Sequence, residues 1–251
     1  MRMILLTALG IGGATVIGAA IGFCVKNVSH KVNDMILSFA AGIMLAAAVN
    51  GLIAPAFELV TGKEMLVPVL GIFVGAIFLN AMDRMTPHLH RLAGADTESH
   101  ANNHKLSKAL LFVMAVAIHN LPEGMAAGVS FGNDDVGAAI TVAIGIALQN
   151  IPEGIVTVSP LVMSGVKRGR AFILATVTGL IEVLGTFVGF MVAGLSEAIL
   201  PFAFAFAGGT MLYIISDEMI PETHSHGNER SSTYSLLVGF TLMVVMDLVI
   251  A

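Results

Sequence analysis

The chain has 251 residues, of which 56% are hydrophobic and 12% charged, and its mean hydropathy is +0.89. Soluble domains carry about 25% charged residues, so an ordinary soluble globule is excluded. A net charge of -5, from 17 acidic and 12 basic residues, is too sparse for a nucleic-acid surface. The single cysteine, Cys24, gives neither an internal disulfide nor a thiolate metal site of the finger type.

About 20 apolar residues span a bilayer. The uncharged runs predict an all-α integral membrane protein of eight helices, over 3–25, 33–60, 66–86, 108–131, 136–162, 170–196, 198–222 and 233–251. The first run is too long for the core of a signal peptide, and Phe23 before Cys24 does not resemble a lipoprotein cleavage box, so it reads as a mature helix. The connections are short, which makes the chain one transmembrane domain with a histidine-bearing loop over 87–107. Lys26, Lys31, Arg84, Arg91, Lys105, Lys108, Lys167, Arg168, Arg170 and Arg230 fall on one side of this threading, and only Arg2 and Lys63 on the other. Basic residues concentrate on cytoplasmic loops, so both termini are expected outside. The stretch Phe39-Ala40-Ala41-Gly42-Ile43-Met44-Leu45 of span 2 reappears in span 7 as Phe206-Ala207-Gly208-Gly209-Thr210-Met211-Leu212, and each copy reaches a proline, Pro55 or Pro221, some way on. The threading runs the two copies in opposite directions, the mark of an inverted repeat in a transporter; the alternative is chance similarity between two Gly/Ala-rich helices.

A second repetition carries the chemistry. His119-Asn120-Leu121-Pro122-Glu123-Gly124 in span 4 returns in span 5 as Gln149-Asn150-Ile151-Pro152-Glu153-Gly154. Positions i and i+4 share a helix face, so His119 lies over Glu123 and Gln149 over Glu153, with Asn120 and Asn150 on the adjoining edges. Pro122 and Pro152 take donors away from the carbonyls of Ile118 and Leu148, which is tolerable in lipid only where the backbone lines a polar cavity or is otherwise satisfied. Glu182 falls in the middle of span 6, and no span holds a basic residue to pair with any of the three glutamates. Such carboxylates must stay protonated or be neutralised by a bound cation. Imidazole, carboxylate and amide oxygen suit zinc, iron, manganese or cadmium. Taken singly, His119 reads equally as a satisfied core histidine; repetition of the polar set on neighbouring helices favours ligation.

Three functions use such groups: a metal transporter, an intramembrane metal-dependent hydrolase and a cation/proton exchanger. No HExxH spacing supports the hydrolase, and the amides of Asn120, Gln149 and Asn150 do not titrate as a proton relay requires. No Walker sequence provides an ATP motor.

The paired hexapeptides, the Gly179-Leu180-Ile181-Glu182 stretch and the run Gly209-Thr210-Met211-Leu212-Tyr213-Ile214-Ile215-Ser216-Asp217-Glu218 resemble the ZIP (Zrt/Irt-like) divalent-metal transporters, nearest their bacterial GufA-like branch. The resemblance extends over essentially the whole chain. It implies eight helices in a 3+2+3 arrangement with an inverted repeat, in the cell (inner) membrane. It also implies uptake of zinc, with cadmium, iron or manganese as further cargo, a homodimer and no organic cofactor. One metal position would use His119, Glu123, Gln149 and Glu153, and the other Asn120, Asn150 and Glu182 with a shared glutamate. Many relatives have His where this chain has Gln149, which swaps an imidazole for a weaker neutral oxygen. Asp83, His88, His90, Asp217 and Glu218 would form the exit path. His100, His104, Glu222, His224 and His226 make the cytoplasmic loops rich in potential ligands, though loop histidines read equally as solvated surface.

Overall fold

The computed structural model describes residues 2–24, 29–92, 104–132, 135–163 and 165–250, and every regular element among them is helical. The long helices are α1 (Arg2–Cys24), α2 (His30–Ala48), α3 (Leu66–Leu92), α4 (His104–Ser130), α5 (Val136–Met163), α6 (Arg168–Ala193), α7 (Leu200–Ile214) and α8 (Glu229–Ile250). Among the described residues, seven helical stretches are long and apolar enough to cross a membrane. The remaining long helix, α4, carries the first polar hexapeptide.

Helix α3 runs to Leu92 and α4 starts at His104, so the loop expected over 87–107 is shorter at both ends. An apolar run marks the part of a helix that suits lipid, whereas main-chain hydrogen bonding continues as long as no breaker intervenes. Helix α4 also continues through Pro122.

Two helices are widened in the same way. Helix α2 passes through a π turn at Val49–Ile53 into the short helix Ala54–Glu58, and α7 through a π turn at Ile215–Met219 into Ile220–His224. Proline removes a donor and crowds the carbonyl four residues back. Just before Pro55 and Pro221, the N–H groups of Ala54 and Ile220 instead reach five residues back, to the carbonyls of Val49 and Ile215. Each proline then occupies a first-turn position where no donor is missed.

The helices pack as two sets of four. In one, α4 lies against α6, and α1 against both α5 and α6; in the other, α3 lies against α7, and α2 against α8. The sets meet mainly where α2 touches α5 and α7 touches α4. Lipid tails are as apolar as leucine, so helices in a bilayer associate through close packing rather than through exclusion from water. Glycines provide that closeness at the hexapeptides: Gly154 abuts Thr15 and Gly18 of α1, and Gly124 abuts the backbone of Glu182 on α6. Between the sets, toward the α4–α5 connection, Leu52, Val142, Ile146, Ala126, Ala127 and Phe204 form a tightly buried core. This core closes that end of the molecule above the hexapeptides.

A methyl group at Gly18 would overlap the carbonyl of Ile151, whereas one at Gly13 meets nothing within 4 Å. Gly18→Ala is therefore expected to cost about 1–3 kcal/mol of stability by overpacking, and Gly13→Ala none. Thermal unfolding of the two variants in detergent checks this, and equal melting temperatures would contradict the packing described.

Candidate metal site

The two hexapeptides bring their polar residues to one point between α4, α5, α6 and α1. Asn120, Glu123, Gln149, Asn150 and Glu182 are at most 1% exposed, His119 is nearly buried and Glu153 is half-buried. One carboxylate oxygen from each of Glu123, Glu153 and Glu182 lies within 4.8 Å of the other two. Of the residues expected as ligands, the three glutamates come together in one cluster, Gln149 lies by Glu123, His119 by Glu153 and Asn150 by Glu182, while Asn120 is buried next to His119 in sequence.

Its hydrogen bonds are arranged around Glu182. The Thr15 hydroxyl donates to Glu182 Oε2 at 2.9 Å, and Asn150 Nδ2 donates to the same oxygen at 2.8 Å and to the Ile11 carbonyl at 3.1 Å. With its amide hydrogens occupied, Asn150 has only Oδ1 left to offer. Asn150 Oδ1, Glu182 Oε1, both Glu123 oxygens and the side-chain oxygens of Asn120 and Gln149 are buried with no hydrogen-bond partner among the described residues. The Gln149 amide lies beside the Glu123 carboxylate, short of hydrogen-bond geometry. An unpaired buried polar atom costs about 1–3 kcal/mol. A divalent cation is the partner that satisfies several such oxygens at once, and it offsets the mutual repulsion of the carboxylates.

One side of the cluster opens. A cavity of about 520 Å³ is lined by His119 and Glu153 of the cluster together with Thr157, Asp217, Glu218 and Glu222. His119 Nε2 lies 2.8 Å from Glu218 Oε1. The π turn in α7 is therefore what carries Asp217 and Glu218 to the cavity wall.

The remaining expectations divide. Glu222 lines the cavity, but His226 turns away to Asp34 at 3.0 Å and stacks on His30. His224 is held by the Ile220 carbonyl at 2.8 Å. His100 lies outside the described residues, as do the side chains of Asp83, His88, His90 and His104. Thr15 and the Ile11 carbonyl were not foreseen: a threonine within an otherwise apolar span carries no local signal of the carboxylate it meets on another helix.

A multi-pass membrane protein with buried carboxylates and amides converging at mid-helix, reached by an acidic cavity, belongs to the class built to handle cations within the bilayer. The family model described as ZIP zinc transporter matches residues 90–247. Zinc transporter GufA of Myxococcus xanthus is 40% identical over 250 residues, covering 97% of this chain and 97% of that protein. Zinc transporter ZIPB of Bordetella bronchiseptica is 35% identical across 93% of this chain and 77% of its own length. Zinc transporter ZIP11 of Homo sapiens is 30% identical, with 94% and 93% covered. The chain belongs to the ZIP zinc transporter family.

Asn150→Asp places a carboxylate where an amide donates to Glu182 at 2.8 Å. In chelator the variant is expected to lose about 1–3 kcal/mol of stability, because a donor becomes a like charge. Saturating zinc should raise its melting temperature by more than it raises that of the wild type. Equal shifts would put Asn150 outside the reach of the ion.

Proposed function

We propose that this protein is a single-domain transporter that carries divalent metal ions, zinc first among them, across the cell membrane into the cytoplasm through a binuclear centre. The observation that carries this reading is the cluster of buried oxygens without hydrogen-bond partners around three carboxylates that, among the described residues, have His119 but no lysine or arginine beside them. One ion is held by His119, Glu123, Gln149 and Glu153. The other is held by Asn120, Asn150 and Glu182, with a glutamate bridging the two. Cadmium, iron and manganese suit the same mixture of nitrogen and oxygen ligands.

The cavity is the way out. Glu218 already holds His119 Nε2 at 2.8 Å, so it competes with the ion for the only imidazole of the first position and favours release. Asp217 and Glu222 lie farther along the wall and take the ion onward. The ten basic residues on that side of the membrane make it the cytoplasmic one, with both termini outside.

A 3+2+3 inverted repeat accounts for the pairing of helices. Exchanging α1 with α6, α2 with α7, α3 with α8 and α4 with α5 turns the α1–α5 contact into α6–α4 and the α3–α7 contact into α8–α2, and all four are the extensive contacts of the molecule. The π turns at Val49–Ile53 and Ile215–Met219, each followed by a proline at the same remove, fit the same exchange. The apolar outer faces of α3 and α8, with Leu70, Phe73, Ile77, Leu237 and Val245 exposed, are suited to lipid and to a second copy in a homodimer. Neither the hydrolase nor the exchanger reading is favoured, since the relatives named above are zinc transporters.

Glu123→Ala and Glu153→Ala should each abolish zinc flux into liposomes, because each removes an anionic ligand from the centre, while alanine is well tolerated in a helix. Normal flux through either variant at matched incorporation would overturn the pathway.

Gln149→His should tighten zinc binding relative to manganese by roughly ten-fold, because imidazole favours the borderline metal more than an amide oxygen does. Competition binding with both ions measures the ratio. An unchanged ratio would mean that Gln149 does not touch the metal.

A further inference from the structure

We infer that Thr15 of α1 is a positioning residue for the second metal position, acting through Glu182; the inference rests on the binuclear reading above. Thr15 and Glu182 lie 167 positions apart, and the same spacing relates Gly12 to Gly179, Gly18 to Gly185, Gly22 to Gly189 and Phe39 to Phe206. Within the proposed repeat, Thr15 is therefore the counterpart of Glu182 itself. One copy of the repeat supplies a carboxylate at this place, and the other supplies a hydroxyl that donates to it at 2.9 Å.

The packing fixes that hydroxyl. Thr15 is 2% exposed, and its Cβ and methyl carbon lie against Gly179, one helical turn before Glu182 on α6. Its own carbonyl abuts Gly154, the last residue of the second hexapeptide. A β-branched side chain so enclosed has few rotamers open to it, and the hydroxyl stays directed at Glu182 Oε2. One turn earlier, the Ile11 carbonyl accepts from Asn150 at 3.1 Å. Helix α1 thus holds both Glu182 and Asn150 from behind. Each is left with one unpartnered oxygen, Glu182 Oε1 and Asn150 Oδ1, which are the atoms offered to an ion.

The hydroxyl also settles a matter of charge. A carboxylate at position 15 would add a fourth negative group beside Glu123, Glu153 and Glu182, and two divalent ions would then be held by four charges instead of three. A hydroxyl orients the ligand without adding to its charge, which leaves the ion able to depart.

Groups that hydrogen-bond a metal ligand from behind typically contribute 10–100-fold to metal affinity. The test is zinc titration of the purified wild type and of Thr15→Val, Thr15→Ala, Thr15→Ser and Glu182→Gln, read by calorimetry together with metal content after dialysis. The wild type should bind two ions per chain. Thr15→Val and Thr15→Ala should keep the first and weaken the second roughly 10–100-fold, as Glu182→Gln does, while Thr15→Ser, which retains the donor, stays close to the wild type. Valine matches threonine in shape, so its effect reports the hydroxyl; if it prevents folding, the smaller alanine serves the same purpose. Two ions bound at wild-type affinity in the valine or alanine variant, or a serine variant as weak as valine, would overturn the role given to Thr15 alone. A wild type that binds only one ion would overturn the binuclear reading and this inference with it.

Discussion

Three carboxylates in the middle of their helices, with no lysine or arginine among the groups acting on them, are the constraint around which the molecule is organised. Glu123, Glu153 and Glu182 come within 4.8 Å of one another at the junction of α4, α5 and α6. Charges so placed repel, and burial deprives them of water, so the cluster holds protons or cations whenever the helices are packed. The helix packing, the glycines and the inner cavity can be understood as means of assembling this cluster while leaving one side open.

Assembly requires helices to approach more closely than ordinary side chains allow. Gly124 and Gly154, each closing a hexapeptide, meet the backbones of α6 and α1. The glycine that follows each glutamate in sequence therefore brings a third helix close to the cluster: where Gly154 admits Thr15, the Thr15 hydroxyl donates to Glu182, and where Gly124 admits α6, a Glu182 oxygen comes within 4.8 Å of a Glu123 oxygen. The π turn in α7 shapes the cavity side of the cluster. By widening the helix just before Pro221, it carries Asp217 and Glu218 to the wall of the cavity, where Glu218 meets His119. Toward the α4–α5 connection the two helix sets are sealed by Leu52, Val142, Ile146 and Phe204, so the cluster communicates with one end of the molecule.

Much of this was legible in the sequence because lipid removes choices. Uncharged runs of the right length have to be helices, and ionisable groups inside them have to converge. The paired hexapeptides accordingly announced the cluster, and Glu182 could be added because it was a third carboxylate without a partner. Local reading failed where the determining contact comes from another part of the chain. Thr15 stands in an apolar span and gains its meaning only when α1 packs on α6. His226 reads in sequence as either a loop ligand or solvated surface, and its partner is Asp34, on a helix far away in sequence. Helices α3 and α4 extend past their apolar runs, to Leu92 and from His104, because such a run measures the lipid-facing part of a helix and not the helix.

The proposed function places two metal ions between α4, α5 and α6, bridged by a glutamate. Anomalous diffraction at the zinc absorption edge from zinc-loaded crystals tests it most directly. Two peaks are expected roughly 3.5–4 Å apart, the separation usual for paired metal ions, one beside His119 and Gln149 and the other beside Asn120, Asn150 and Glu182. Zinc found only on the histidines of the α7–α8 turn, with no density between Glu123 and Glu153, would contradict it.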